Sequence, residues 1–288
     1  MPITDLQRRQ RRQHLGSSDL PAIFGLDPFR NAGNVWLEKT GRLERDEPNP
    51  AMIAGTFLEP AILAWGESLL GPMTKNVFRS LKDEGVPLAV HADGQLKSDG
   101  SAVEAKTSNL YGFSAEREEW GDEGTDGVPE RVIIQCHAHM LCLQVKVCHV
   151  PALVGGIGLR LYRIPYNEVL GNLVRETAIN FWVDYIVKDV KPEIAPSIEA
   201  LKAMKRTPKT VVDVNHKLVD DWLEARAARL EAEKAEDETK KQLINAIGDS
   251  ECGMSRIGLV TYFEHTRAAY NVEAKTFRKL AFRDRKVP

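Results

Sequence analysis

The sequence predicts a mixed α/β (α+β) fold that ends in a C-terminal helical arm and a small hairpin. Short β-favouring segments bounded by Gly, Ser and Asp alternate with longer segments whose apolar residues recur at helical spacing. The 288 residues include 43% hydrophobic and 28% charged side chains, so the chain can bury a sizeable core. Prolines interrupt the regular patterns near residue 191, and this change predicts one large domain followed by an appended part.

The first residues predict a basic segment followed by a helix start. Residues 4–14 are helix-compatible and rich in arginine, and Gly16 permits a turn before a short helix over residues 20–24. Three consecutive side chains can cap that helix: Ser17, Ser18 and Asp19. A capped helix start also exposes backbone N–H groups, which can hold a phosphate together with the serine hydroxyls and nearby arginines. Capping without any ligand is the alternative interpretation.

Two further helices are predicted before the sheet begins. One covers residues 34–40 and ends at Gly41, and the other covers residues 52–70. The longer helix carries apolar residues at helical spacing, namely Phe57, Ile62, Trp65 and Leu69. Glu59 lies in the first half of this helix. A helix carboxylate is usually solvated, so Glu59 acquires a function only if a partner lies beside it.

The predicted sheet occupies the middle of the chain. Residues 73–80, 86–96 and 102–107 are predicted to form an antiparallel meander. Residues 146–155 and 159–165 add two strands whose apolar content indicates burial. A polar loop and the helices around these strands are expected at the following positions: loop 111–128, helix 129–144 and helix 167–190.

The C-terminal part is predicted to be separate from the sheet. Residues 1–190 form the large domain, and the proline-containing residues 191–215 form a linker region. Residues 216–288 then form an arm of unknown role. It consists of a charged helix with a thin apolar seam, a hairpin and a basic closing helix, over residues 216–247, 253–266 and 272–282.

A candidate site lies in the hairpin that spans residues 91–106. Because side chains alternate across a strand, Glu104 and Lys106 point to one face and Ala105 to the other, and Asp93 can join the acid and the lysine. Two carboxylates can hold a hard cation through oxygen, and an ammonium group can orient or help deprotonate a water molecule beside it. Metal-dependent phosphodiester hydrolysis requires this combination. An exposed strand face with an ordinary Glu–Lys pair is the alternative.

Charge and cysteine content limit the class of protein. A formal net charge of −2 does not support a protein that coats nucleic acid, although four arginines within residues 8–12 form a local basic cluster. The four cysteines include no Cys-x-x-Cys pair, so we expect reduced thiols, and we favour packing over a zinc site at Cys136 and His139. The sequence has no apolar segment of membrane-spanning length and no signal peptide. It therefore predicts a cytoplasmic protein without a membrane partner.

Six short motifs occur in an order that resembles a known family. They are Arg11 with Leu15-Gly16-Ser17-Ser18-Asp19, Leu37-Glu38-Lys39-Thr40-Gly41, Gly55-Thr56-Phe57-Leu58-Glu59, Asp93-Gly94, Glu104-Ala105-Lys106, and Gln135. This order resembles the YqaJ-type viral recombinase group, which is similar to the phage lambda-type alkaline exonucleases of the PD-(D/E)xK nuclease superfamily. The resemblance covers roughly residues 8–190. It implies a restriction-endonuclease-like core, in which helices flank a central mixed β-sheet.

The resemblance also implies roles for individual residues. Asp93 and Glu104 would be the core metal ligands, Glu59 would reach the site from its helix, and the backbone carbonyl of Ala105 would complete the ligand set. Lys106 would position the attacking water and stabilise developing negative charge.

Two further implied roles concern Gln135 and the N-terminal segment. Gln135 would orient the water or the lysine, while Arg11, Ser17 and Ser18 match the family's pocket for a 5′ phosphate. The family often has proline before the aspartate, and this chain has Ala92. Proline mainly stiffens the backbone there, so metal binding is expected to survive this difference.

The cofactors and partners also follow from the resemblance. It implies two Mg²⁺ ions, for which Mn²⁺ can substitute, and digestion of linear double-stranded DNA from the 5′ end. The partners would be double-stranded DNA ends and a single-strand annealing protein that takes the 3′ overhang. A homo-oligomer is expected, since the lambda-type member is a ring-shaped trimer.

Other activities stay open at this point. An endonuclease or a Cas4-like nuclease belongs to the same superfamily, although the absence of a four-cysteine cluster arrangement argues against the iron–sulfur version. A non-catalytic DNA-end binder is the third alternative. Such a binder has no need of Asp93, Glu104 and Lys106 together.

Overall fold

The computed structural model describes residues 12–43, 50–108, 120–155, 157–204 and 212–264. The chain divides into two compact units, residues 1–205 and 206–288. Arg11 and the predicted closing helix over residues 272–282 lie outside the described residues. Of the predicted basic helix, residues 12–14 are described, and they form a turn.

Among the described residues of the first unit, the first five helices lie close to their predicted positions, and a sixth was not predicted. They are α1 (Leu20–Ile23), α2 (Ala32–Lys39), α3 (Pro50–Leu70), α4 (Glu130–Leu143), α5 (Glu168–Phe181) and α6 (Ile198–Ala203). The prediction of one helix over residues 167–190 holds through Val187, but the helix changes from α-helical to π-helical geometry over Trp182–Val187. Helix α6 lies within the predicted linker. It belongs to the first unit, since Ala200 is buried in the core.

A mixed sheet forms the centre of the first unit. Its strands are β1 (Met73–Ser80), β2 (Ala89–Leu96), β3 (Ala102–Val103), β4 (Lys106–Ser108), β5 (Val147–Val154) and β6 (Gly158–Pro165). The order is β1-β2-β3-β5-β4, and β6 pairs along the whole of β5. As predicted, β1, β2 and β3 are antiparallel. Strands β3 and β4 run parallel to β5 and β6 runs antiparallel to it, so the expected mixed sheet is confirmed.

The third strand of the meander is interrupted at Glu104 and Ala105. Strand β3 pairs with Cys148 and His149 of β5, and β4 resumes the parallel pairing further along the same strand. The N–H of Glu104 donates to the carbonyl oxygen of His149 at 3.0 Å, which keeps the chain beside β5 through the interruption. The N–H of Ala105 instead donates to Oδ2 of Asp93 at 2.8 Å. The break therefore leaves the N–H of Ala105 to bond with Asp93, a predicted site residue.

Helix α3 buries a different face from the predicted apolar stripe. Phe57 and Leu69 are 80% and 56% exposed, whereas Ile62 is buried as expected. The buried face contains Gly66, where an added Cβ would lie 3.1 Å from Cγ of Pro151 on β5. The helix therefore packs against the strand through the face that contains Gly66, because only a small residue fits there. Phe57 and Leu69 lie outside this contact and are exposed.

Replacing Gly33 with alanine is expected to lower the free energy of unfolding by about 1–3 kcal/mol, because the added methyl group overpacks the contact between α2 and the segment before α6. A Cβ at Gly33 would lie 2.6 Å from the carbonyl oxygen of Ile194 and 2.8 Å from the nitrogen of Pro196. Backbone atoms cannot rotate away, so the segment itself must move. Urea unfolding followed by circular dichroism measures the change.

Gly55→Ala is the matched control for this prediction. Gly55 is also a helical glycine, but its added Cβ would meet Oγ1 of Thr107 at 3.5 Å, an ordinary contact. Alanine has the higher helix propensity, so Gly55→Ala should leave stability unchanged or raise it by about 1 kcal/mol. Equal destabilisation of both variants would contradict the explanation.

The second unit contains the predicted arm and hairpin. Helix α7 (His216–Ile247) precedes a two-stranded sheet of β7 (Cys252–Ser255) and β8 (Gly258–Thr261). No residue of α7 is buried in the structure, in agreement with its charged composition and thin apolar seam. Among the described residues, no helix combines the length and the hydrophobicity that crossing a membrane requires.

Candidate active site

Four predicted site residues meet at the break between β3 and β4. Oε1 of Glu104 accepts hydrogen bonds from Nζ of Lys106 and from Nε2 of Gln135, each at 2.6 Å. The acid and the lysine therefore share one face, as the strand alternation predicts. Asp93 joins them through the N–H of Ala105, which donates to its Oδ2 at 2.8 Å. Residues from β2, from the β3–β4 break and from α4 thus converge on one place.

A glycine positions Asp93 beside the break. Gly94 follows Asp93 on β2, and a Cβ added there would lie 2.7 Å from Sδ of Met73 and 3.2 Å from Cβ of Val103. A larger residue would force the Met73 side chain to move and would crowd Val103, so glycine suits this position between β1 and β3. Asp93 thus supplies the carboxylate, and Gly94 allows the close packing of the strands beside it.

Glu104 is a buried carboxylate surrounded by donors. Burial by itself would raise the pKa of Glu104, but the charge of Lys106 and the proximity of His139 outweigh it and hold that pKa well below its usual range. The pKa of Lys106 is raised: burial works to lower it, but the contact with Glu104 outweighs that effect. Glu104 and Lys106 therefore form a charged pair inside the protein.

The other two carboxyl groups have the opposite shift. Burial, and next the negative charge of Glu104, raise the pKa of Asp93 to about 8. Partial burial and the charge of Glu104 also raise the pKa of Glu59, which shows that α3 brings this side chain within electrostatic reach of the site. Three acidic groups thus compete for the single positive charge of Lys106. A hard cation at this position would relieve that competition.

The donor set fits such a cation. Oε2 of Glu104 is buried and has no hydrogen-bond partner among the described residues, so it retains lone pairs for a ligand. The described part of the chain contains no group of three or more His, Cys, Asp or Glu side chains that could hold a metal ion by themselves. Asp93 and Glu104 would therefore need other oxygen ligands, and the backbone carbonyl of Ala105 is one that the family resemblance implies.

Sequence reasoning missed the role of His139 in this environment. The imidazole is fully buried, and its Nε2 lies 3.0 Å from Oε2 of Glu104. Its position four residues after Gln135 could have indicated this contact, because residues at that spacing share one face of a helix. Cys136, which the sequence pairs with His139 as an alternative zinc site, instead packs in the buried core between α4 and β5.

The predicted capping of α1 is wrong. Asp19 is the residue before α1, but its side chain makes no capping hydrogen bond. Its buried carboxylate accepts from the N–H of Gly16 at 2.8 Å and pairs with Lys39 and Arg30 at 2.6 Å and 2.9 Å. These two cations attract the carboxylate more strongly than the helix N–H groups do. The turn before α1 is therefore held by an ion-pair cluster.

The serines of this turn differ in exposure. Ser17 is buried, whereas Ser18 is exposed. The carbonyl oxygen of Ser18 accepts a hydrogen bond from Nη1 of Arg30 at 3.4 Å, which connects the turn to the Asp19 cluster. Arg11, the third residue of the predicted phosphate pocket, lies outside the described residues.

The described part of the predicted loop over residues 111–128 packs along the sheet. Residues 109–119 lie outside the described range, and residues 120–128 contain no helix or strand. The N–H of Gly124 donates to the carbonyl oxygen of Leu161, and the N–H of Arg163 donates to that of Thr125. These bonds attach this segment to β6, so its described half is fixed at the edge of the sheet.

A comparison with protein families places the site within a known domain. Residues 8–145 match the family described as the YqaJ-like viral recombinase domain. This part of the chain is therefore similar to the YqaJ-like viral recombinase domain. All the predicted site residues lie inside the matched range, which confirms the resemblance that the motif order indicates. The YqaJ-like family and the acid–lysine site together support a phage-type nuclease.

One relative and two solved structures illustrate what the chain is similar to. The uncharacterized protein YqaJ of Bacillus subtilis (strain 168) is 23% identical over 256 residues, which covers 85% of this chain and 78% of that protein. LHK-Exo, an alkaline exonuclease from Laribacter hongkongensis, is 16% identical, with 64% of this chain and 94% of that chain covered and a TM-score of 0.49. A putative exonuclease from Eubacterium rectale is 9% identical, covers 76% and 98%, and gives a TM-score of 0.48. The similarity to YqaJ extends beyond residues 8–145, since it covers 85% of the chain.

Proposed function

We propose that the chain is a Mg²⁺-dependent 5′-to-3′ exonuclease acting on linear double-stranded DNA. It releases 5′-mononucleotides and leaves a 3′ overhang for phage-type homologous recombination by single-strand annealing. The observation that carries this proposal is the convergence of Asp93, Glu104, Lys106 and Gln135 at the β3–β4 break. An ordinary strand-surface ion pair would not bring a second carboxylate and an amide from a distant helix to the same place.

The metal ligands in this proposal are oxygen atoms. Asp93, Glu104 and the backbone carbonyl of Ala105 hold two Mg²⁺ ions, and Glu59 reaches them from α3. When bound, the ions supply Lewis-acid stabilisation of the phosphate and lower the pKa of the attacking water, and Mn²⁺ can substitute. The orphaned Oε2 of Glu104 and the raised pKa of Asp93 support this ligand set.

The other site residues orient groups and stabilise charge. Lys106 places its ammonium group beside the scissile phosphate and stabilises the negative charge that develops in the transition state. Glu104 fixes the direction of that ammonium group through their 2.6 Å contact. Gln135 donates to the same Oε1 of Glu104, and its amide orients the attacking water or the lysine.

The proposed DNA-end specificity rests on the N-terminal turn. By the family resemblance Arg11, Ser17 and Ser18 would bind the 5′ phosphate, and the exposed position of Ser18 beside the Asp19 cluster supports access to a DNA end. Contacts with phosphates carry no sequence information, so we expect no sequence preference. Further partners follow from the family resemblance alone. They are a single-strand annealing protein and other copies of this chain in a trimeric ring.

The test compares one duplex labelled at its 5′ ends with the same duplex labelled at its 3′ ends. The full chain with Mg²⁺ or Mn²⁺ should release labelled mononucleotides from the 5′-labelled DNA at once, and from the 3′-labelled DNA only late. A 5′-phosphorylated end should be digested faster than a 5′-hydroxyl end, and EDTA should stop both reactions. Release that begins at the 3′ label would contradict the proposed direction.

Two controls separate the alternative activities. Covalently closed circular duplex should stay intact for the length of the assay, because a circle presents no end. Cleavage of the circle would instead identify an endonuclease. DNA-end binding without hydrolysis under every metal condition would identify a non-catalytic binder.

A further inference from the structure

His139 is a buried polar side chain to which the proposed reaction gives no role. It lies on α4 and is 0% exposed. Neither ring nitrogen has a hydrogen-bond partner among the described residues, and the same is true of Oε2 of Glu104. These orphaned atoms face each other, because Nε2 of His139 lies 3.0 Å from that oxygen. The separation is that of a hydrogen bond.

Packing alone does not explain an imidazole at this position. A buried polar nitrogen without a partner is unfavourable, and a leucine or methionine of similar volume would fill the space without that penalty. His137, two residues earlier on α4, shows the contrasting case. Its Nδ1 lies 2.8 Å from the carbonyl oxygen of Ile133, and its Nε2 accepts the N–H of Asn167 at 3.1 Å. Both nitrogens of His137 are therefore used, Nδ1 within α4 and Nε2 in a contact with the residue that precedes α5.

The two oxygens of Glu104 have different surroundings. Lys106 and Gln135 each donate to Oε1, which occupies both of its lone pairs. Oε2 is therefore the oxygen that keeps a lone pair for a cation, and it is the oxygen that His139 approaches. Gln135 and His139 lie one helical turn apart on α4, so a single helix face contacts both oxygens.

We infer that His139 is a positioning residue, whose Nε2–H donates to Oε2 of Glu104 and fixes the carboxylate plane so that the second lone pair of Oε2 points at the cation. This inference rests on the metal site of the proposed function. Protein donors that hold a metal-ligating carboxylate in place commonly change metal affinity by about 10–100-fold when they are removed. His139 acts through Glu104 and does not itself touch the cation.

The test measures Mn²⁺ binding to the DNA-free full chain by electron paramagnetic resonance. His139→Leu and His139→Met keep an apolar side chain of similar volume and remove the donor, so the Kd for Mn²⁺ should rise by about 10–100-fold. In His139→Gln, the amide nitrogen is as many bonds from Cβ as Nε2 of histidine, so this variant should recover most of the affinity. Urea unfolding in EDTA should show that the Leu and Met variants still fold cooperatively, so that a weaker affinity does not reflect a loss of structure.

His137→Leu is the matched control, because it changes the same residue type in the same helix. It should lower the urea midpoint, since it removes two hydrogen bonds, and it should leave the Kd for Mn²⁺ unchanged. Replacing His139 with leucine is thus expected to weaken Mn²⁺ binding, whereas replacing His137 with leucine should lower stability and leave Mn²⁺ binding unchanged.

The possible outcomes distinguish this inference from the proposed metal site. If Asp93→Asn weakens Mn²⁺ binding while His139→Leu and His139→Met bind as tightly as the wild type, the role of His139 is overturned and the metal site stands. A glutamine variant as weak as the leucine variant would also overturn the role of His139, as would loss of folding of both apolar variants in EDTA. If the wild type binds Mn²⁺ no better than Asp93→Asn, the metal site fails and the inference fails with it.

Discussion

Glu104→Gln is expected to lower the rate of linear duplex digestion by about 10³-fold or more, because it weakens metal binding and transition-state stabilisation together. Glutamine keeps the volume of the side chain and one oxygen that can accept from Lys106 and Gln135. It removes the negative charge that the proposed Mg²⁺ site needs and that holds the ammonium group of Lys106. Single-turnover digestion of 5′-labelled DNA at saturating Mg²⁺ measures the change without a contribution from product release.

The control for this prediction is a second Glu–Lys pair. Oε2 of Glu67 on α3 lies 3.1 Å from Nζ of Lys75, and the Glu67 side chain is 33% exposed. Glu67→Gln should retain close to wild-type activity, since the expected loss depends on the site and not on breaking an ion pair. Circular dichroism should give the same spectrum for both variants. Full activity of Glu104→Gln would refute the assignment of the site.

The period-two pattern of the strands accounts for most of what the sequence predicts correctly. Alternation places Glu104 and Lys106 on one face, and the short polar turn before Ala102 brings Asp93 beside them. The interruption at Glu104 and Ala105 is not visible in that pattern. It depends on the N–H of Glu104 pairing with His149, which belongs to a strand more than forty residues later.

Other contacts could not be predicted because their partners are distant in the sequence. Gln135 reaches Glu104 across 31 positions, and only the family resemblance points to it. His139 appears in the sequence as a helix residue without a partner, so packing was the reasonable expectation. Asp19 fits the pattern of a helix cap, but Lys39 folds back onto its carboxylate and changes its role. In each case a tertiary contact overrides a correct local pattern.

Asp19→Ala is expected to lower the free energy of unfolding by about 3–5 kcal/mol, the usual consequence of removing one partner from a buried ion pair. The side chains of Asp19 and Lys39 are 8% and 6% exposed, and their charged atoms lie 2.6 Å apart. The substitution takes away the carboxylate that faces both Lys39 and Arg30, and it removes the acceptor of the Gly16 N–H. Urea unfolding at pH 7 measures the loss. Asp184→Ala, which breaks an exposed Asp184–Lys188 pair, should change stability by about 0.5 kcal/mol or less.

The pH dependence of stability tests the same cluster independently. Burial would raise the pKa of Asp19, but Lys39 and Arg30 outweigh it and hold that pKa well below its usual range. In the unfolded chain Asp19 has an ordinary pKa of about 4. Between that value and the lower folded-state pKa, the unfolded chain binds a proton at Asp19 that the folded protein does not bind. The stabilisation from Asp19 is therefore complete above about pH 5 and is lost as the pH falls toward the folded-state pKa. The wild type should lose stability between about pH 5 and pH 2 more steeply than Asp19→Ala. Equal slopes in the two proteins would show that Asp19 is not ionised in a buried ion pair.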